Sequence, residues 1–355
     1  MEKNDLAKIL DAAVRAPSGE NCQPWRFRFE KDVLYLFNIP ERDRSLYNFH
    51  QYGSLVSHGA VIENISIAAS SLGYATAIQT FPVSSDPDCT ARIEFFRAPS
   101  APKDALYESI PLRASNRTKY DPNHLLDPET EKFITAQASS IGGERLILAK
   151  EKEGKARLAR AMSYGDKLLF KNRHIHHFLF NHIHWTIDDA LKAQSGFYFK
   201  ELGLTREQMA IFKILRHEPV RRLLSAIGFA SLAAAGNASV YAESSAIGAV
   251  ISPESTPQNF IDAGRFMERV WLAATATGYD VQLLTAVPFF AQRARENETD
   301  GFSRLQIKDI LASYKEIEQG LGMKEGVITL MFRIGKGAPI PHHSFRAEPI
   351  LEYIG

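Results

Sequence analysis

The sequence predicts a chain of mixed helices and strands assembled from two related halves. Short runs such as 91–96 and 327–334 read as strands. Two long apolar patterns, over 53–74 and from about 259 to 279, read as buried helices that share one layout 205 residues apart. Setting Gly59 on Gly264 pairs Glu63 with Glu268, Ala68 with Ala273, Ala69 with Ala274, Gly73 with Gly278 and Tyr74 with Tyr279. These are six identities in sixteen positions, where average composition gives roughly one. The shared Glu and the closing Gly-Tyr argue for an internal duplication. A fused and diverged pair can keep a two-fold interface while losing one of its two ligand sites.

The elements follow in order. Leu6, Ile9, Leu10, Ala13 and Val14 line one face of an opening helix, which Pro17 ends because it lacks an N–H and disfavours helix in the residue before it. Gly19 then allows a turn closed to other residues. Ser18, Asn21 and Gln23 offer hydroxyl and amide groups to a planar polar ligand, or serve only as a helix end, turn and strand start. Residues 26–37 read as one strand closed by Pro40, and a charged turn at 41–44 leads to the helix over 53–74. That helix is apolar around nearly its whole circumference and ends at Gly73. Strands follow over 75–81 and 91–96.

In the extended segment Leu112 to Thr118, residues two apart share a side, so Arg113, Ser115 and Arg117 project together. Two guanidinium forks and a hydroxyl suit a phosphate dianion. Two solvated arginines of a linker would look the same. Residues 138–143 stand where a second copy of the 16–27 stretch is expected, without its Asn, Gln and Trp. Residues 171–185 hold five of the eleven histidines, among them His174, His177 and His184, but no acid or cysteine completes a metal motif. A partly buried polar helix face is expected there. Residues 196–204 and the helical pattern 205–230 have no partner in the first half, so an insertion over 186–235 is expected, serving as a lid or as a structural cap. A strand entering a loop over 280–286 and a strand over 327–334 complete the second half.

Composition bounds the function. Forty-two Lys and Arg against forty-one Asp and Glu give a near-neutral chain, so no broad field recruits nucleic acid or an anionic membrane. Cys22 and Cys89 cannot form a disulfide framework and read as reduced thiols. No apolar signal region follows Met1, and the weakly polar stretch 223–235 is short for a bilayer. A cytoplasmic protein is expected. There is no Ser/His/Asp series, paired-carboxylate motif, CxxC or Gly-rich dinucleotide fingerprint.

The run Ala16-Pro17-Ser18 with Asn21 and Gln23-Pro24-Trp25 and Phe27 resembles the signature loop of the FMN-dependent nitroreductase family. Arg113-x-Ser115-x-Arg117 resembles that family's phosphate-binding segment. The Asp43-x-x-Leu46 turn, Ser57-His58-Gly59-Ala60 and Pro82 resemble single-chain, internally duplicated nitroreductase-like proteins. The resemblance implies an α+β nitroreductase-like fold. Two repeats would form a pseudo-dimer, residues 1–108 and 109–355, each with a central, mostly antiparallel sheet flanked by helices. It implies FMN as cofactor, with Pro17, Ser18, Asn21 and Gln23 near the ring and ribityl chain, and Arg113, Ser115, Arg117 and Arg346 on the phosphate. Leu283, Thr285 and Ala286 would lie beside the ring's reactive edge, N5. The implied activity passes hydride from NAD(P)H through the flavin to a small aromatic, nitro or quinone-like acceptor, with no catalytic side chain required. The alternatives are a protein that stores or sequesters FMN beneath a lid, and a specialised flavin-ring chemistry with oxygen. Neither nucleic acid nor membrane is an expected partner, and the chain would be a pseudo-dimeric monomer or a homodimer.

Overall fold

The computed structural model describes residues 1–139, 141–340 and 342–354. The first half runs α1 (Lys3–Val14), β1 (Trp25–Glu30), β2 (Val33–Asn38), α2 (Tyr52–Ser71), β3 (Tyr74–Thr80) and β4 (Cys89–Arg97). The second begins with α3 (Pro128–Ala138) and β5 (Arg145–Ala149). There follow α4 (Lys152–Met162), α5 (Tyr164–Lys171), α6 (Arg173–Asn181), β6 (Ile183–His184), α7 (Ile187–Ala193), β7 (Phe197–Tyr198), α8 (Arg206–Leu215), α9 (Glu218–Ala226) and α10 (Phe229–Ala242). It closes with β8 (Ala246–Ser252), α11 (Pro257–Ala276), β9 (Asp280–Leu283), α12 (Ala286–Arg295), α13 (Arg304–Gly320), β10 (Val327–Gly335) and β11 (Leu351–Tyr353).

The duplication is visible in the sheets. One has the order β11-β1-β2-β4-β3 and the other β5-β8-β10-β9. Replacing β1, β2, β4 and β3 by β5, β8, β10 and β9 carries the first order into the second, and all of these pairings are antiparallel. The fold is α+β, as expected. Helices α2 and α11 cross at the glycines that the 205-residue offset pairs: a β-carbon on Gly59 would lie 2.0 Å from Ile261 O, and one on Gly264 2.0 Å from Val56 O. Only glycine permits so close a backbone approach. Around the crossing, one apolar core runs through both halves and includes Ile62, Ile65, Phe260 and Trp271.

Three sequence expectations need correction. Residues 26–37 form a hairpin and not one strand, because Lys31 and Asp32 both take positive φ (48° and 63°) and turn the chain back. Tight hairpins need that geometry and usually advertise it with glycine or asparagine, which are missing here. The insertion is larger than 186–235: everything from α4 to α10 lies between β5 and β8, whose counterparts β1 and β2 are joined by that two-residue turn. Helices α4, α5, α12 and α13 cover the second face of the β5-β8-β10-β9 sheet with their own apolar layer. A separate cluster built on Phe170, Phe180, Phe199 and Leu215 holds the rest of the insertion. Finally, β11 leaves the second half and pairs in parallel with β1, Phe27 opposite Leu351.

Candidate functional site

The 17–24 loop folds back on itself in an unusual backbone. Glu20, Asn21 and Gln23 all have positive φ (43°, 54° and 50°), a conformation that non-glycine residues hold only when their surroundings enforce it. Here Ser18 Oγ accepts from Gln23 N (3.0 Å), and Cys22 N donates to Gly19 O (2.9 Å). The two amides do the rest. Asn21 Nδ2 donates to Phe345 O (2.8 Å) and Gly196 O (3.3 Å), and its Oδ1 accepts from Arg346 (2.6 Å). Gln23 Nε2 donates to Gln194 O (2.6 Å), and its Oε1 accepts from Ala347 N (3.0 Å). The residues expected to face a ligand with their amides thus fasten the loop to the insertion and to segment 342–350. Gln23 lies outside the two cavities described next.

Beside the loop is a small polar depression of ≈ 80 Å³ lined by Arg15, Asn21, Arg113, Ser115, Arg117, Glu201, His342, His343, Ser344 and Arg346. It opens beside a larger cavity of ≈ 340 Å³. Pro17, Ser18, Ser115 and Arg117 line both. The larger cavity has apolar walls from Val56, Leu179, Phe197, Trp271, Leu283, Leu284, Phe289 and Leu330. Its volume lies within the range of small-molecule sites. Thr285 and Ala286 line it too, and Gly165 permits their approach, since a β-carbon there would be 2.5 Å from that of Ala286. Of the residues expected from sequence, all but Gln23 line one cavity or both. Sequence reasoning missed Arg15 and Glu201. A cation directly before Ala16-Pro17 was a usable signal for Arg15; Glu201 had none, since it arrives from the insertion.

The cations stand in unlike surroundings. Arg113 is buried: its Nε is 3.2 Å from Glu268 Oε1, Nη2 donates to Arg15 O (2.5 Å), and the guanidinium sits 4.6 Å from the Trp271 ring centre. Arg117 rests 5.0 Å from the Phe197 ring. Burial lowers the Arg117 pKa, opposed by Glu201 and Glu20. Burial, with Arg113 nearby, pushes Arg346 down to about 9. Its buried Nε has no hydrogen-bond partner among the described residues. An unpaired donor in a cationic pocket of this size fits a phosphate oxygen.

Acids face the larger cavity. Burial, with Asp43 adding to it, raises Glu20 to about 8. Burial raises Asp43, although Ser45 N donates to its Oδ1 (3.0 Å). A β-carbon at Gly19 would come 3.3 Å from Asp43 Oδ2, leaving little room for a larger residue. Asp166 is raised to about 6 by burial and accepts from Tyr241 Oη at 2.9 Å. The pseudo-symmetric position is built differently. Glu63, the counterpart of Glu268, is held by Arg265 (3.0 Å) and Arg269 (2.6 Å). The second copy of the loop, 138–143, includes Ser140, which lies outside the described residues.

The histidine-rich stretch spreads its side chains. His176 bonds to Leu215 O (2.9 Å), His182 to Phe178 O (2.8 Å) and His184 to Ser195 O (2.8 Å). Among the described residues no three metal-ligating side chains come together. Both cysteines are buried, and burial pushes their thiols up, Cys89 to about 11. Among the same residues no single helix is long and apolar enough to cross a membrane, although α9 and α10, bent by 82°, would pass that test together.

No protein-family model matches the chain. It is 25% identical over 93% of its length to an uncharacterized protein of Mycobacterium tuberculosis, covering 46% of that protein. It is also 36% identical over 32% of its length, and 33% of the relative's, to a protein of the same organism named "Putative NAD(P)H nitroreductase acg". The chain therefore spans about half of the first relative and a third of the second. Among solved structures it is similar to the FMN-dependent nitroreductase NfnB from Mycobacterium smegmatis in complex with NADPH. That match has 13% identity and a TM-score of 0.37, over 66% of this chain and 92% of the other.

Proposed function

We propose that this nitroreductase-like chain binds one FMN and works as an NAD(P)H-dependent oxidoreductase for a small aromatic, nitro or quinone-like acceptor. The observation that carries the reading is the continuity of the two cavities. A cationic depression of phosphate size meets an apolar cavity of ring size at Pro17, Ser18, Ser115 and Arg117. In this reading Arg15, Arg113, Ser115, Arg117 and Arg346 hold the phosphate. Trp271, Leu283 and Phe289 would hold the ring, with Thr285 and Ala286 beside it. Bound flavin supplies the hydride transfer that no side chain here can perform. The protein's part is to exclude water, fix the ring and offer proton-bearing groups: Glu20 and Asp166, with their raised pKa values, line the same cavity. Cytoplasmic residence and a pseudo-dimeric monomer belong to the same proposal.

The test is a visible absorption spectrum of the purified protein, followed anaerobically through additions of NADPH, NADH and then a nitroaromatic or quinone. The expected result is a bound flavin that bleaches with one nicotinamide and recovers its colour with the acceptor. A colourless protein that takes up no added FMN would overturn the flavin reading. Bound flavin that neither nicotinamide bleaches would instead establish storage, with the insertion's Leu179 and Phe197 closing the cavity wall.

A further inference from the structure

Glu201 is an acid placed among cations. The insertion carries it into the small depression, where it is only 7% exposed and shares the lining with Arg113, Arg117 and Arg346. Its Oε2 accepts from Ser344 Oγ at 2.8 Å, while the buried Oε1 has no hydrogen-bond partner among the described residues. The groups facing it are Arg117 from the 113–117 segment, and His342, Ser344 and Arg346 from the segment after β10. Glu201 forms no ion pair with these arginines among the described residues, so Arg117 and Arg346 act on it only through the longer-range field that opposes the effect of burial.

We propose that Glu201 is a built-in stand-in for phosphate, tying the insertion through Ser344 to the segment that carries Arg346, and that a phosphate-bearing ligand enters by displacing it or by meeting its protonated form. This rests on the phosphate-site reading above. A space of ≈ 80 Å³ has room for one anion against these guanidinium groups, and two like charges in poor solvent repel strongly. Burial raises the Glu201 carboxyl pKa. An adjacent phosphate raises it further, so binding takes up a proton and affinity falls as pH rises. The histidines and the phosphate's own second ionisation titrate nearby, but they persist when Glu201 becomes Gln.

The experiment uses the apo-protein and three probes: FMN, riboflavin, which has the same ring and no phosphate, and inorganic phosphate. Each is titrated into wild type and Glu201→Gln by fluorescence quenching or calorimetry at several pH values. The variant is expected to bind FMN and inorganic phosphate about tenfold more tightly at neutral pH, with riboflavin within about twofold. The affinity ratio of variant to wild type should grow with pH. FMN binding that is unchanged or weaker in the variant, or a gain that riboflavin shares, overturns the proposal. If the variant does not fold, Ser344→Ala loosens the same latch. FMN association should then speed up about threefold or more, and an unchanged rate overturns the proposal. If wild type binds neither flavin, the FMN reading fails alone, and inorganic phosphate still decides the role of Glu201.

Discussion

Arg113 and Arg117 belong to one short motif but stand in different surroundings, and their substitution should separate stability from binding. Arg113 neutralises buried Glu268. Arg113→Ala leaves that carboxylate alone and should cost about 3–5 kcal/mol in urea unfolding. Arg117 has no such buried ion pair among the described residues, so Arg117→Ala should change stability by under about 1 kcal/mol. It should weaken FMN binding about tenfold to a hundredfold, as measured by flavin fluorescence. His58 gives a pH prediction. Its Nε2 lies 2.9 Å from Pro24 O and its Nδ1 2.7 Å from Thr90 Oγ1, and burial lowers its pKa to about 4. The unfolded ring titrates near 6.5, so its stabilisation is complete above that value and drains away as pH falls towards 4, by about 3 kcal/mol. The unfolding free energy of wild type relative to His58→Gln should decline by that amount between pH 7.5 and 4. A difference independent of pH would mean that the ring is not kept neutral. That the expected residues other than Gln23 line the two cavities was legible in part, since arginines two apart with a hydroxyl between them share one side of an extended segment. The directions of Asn21 and Gln23 were not, since their partners lie far along the chain at Gly196, Gln194, Phe345 and Ala347.

Among elements, the α2–α11 crossing is the most sharply constrained. A methyl group at Gly59 or Gly264 meets a backbone carbonyl that has no rotamer with which to yield. Gly59→Ala and Gly264→Ala should each destabilise by about 3 kcal/mol or more. Because both push the same helices apart, the double variant should lose less than the sum. Thermal unfolding of the three variants checks both statements. These helices were readable from sequence because apolar residues around most of a helix's circumference mean burial on most sides, and Gly-Tyr marks where each one stops. The β1–β2 turn was not, because Lys31 and Asp32 adopt a backbone that their identities do not announce. The extent of the insertion was hidden in a different way: α4 and α5 are amphipathic helices like any others, and only their position on the outer face of the second sheet marks them as additions.

At the scale of the molecule, the two related halves differ around their paired glutamates: Glu268 meets Arg113 beside the polar depression, while Glu63 is held by Arg265 and Arg269. Flavin titration should accordingly saturate at one FMN per chain with a hyperbolic isotherm, and two equivalents would mean that the second position is open. The return of the chain from β10 to β11 has a kinetic consequence. Phe27 pairs with Leu351, and Arg346 reaches Asn21, so the 17–24 loop waits for residues more than three hundred positions further along the chain. Contacts of such sequence separation form late, after a large loop-closure entropy has been met. During translation the first half should emerge with β1 as a bare sheet edge, and ligand competence should appear only in the final folding phase.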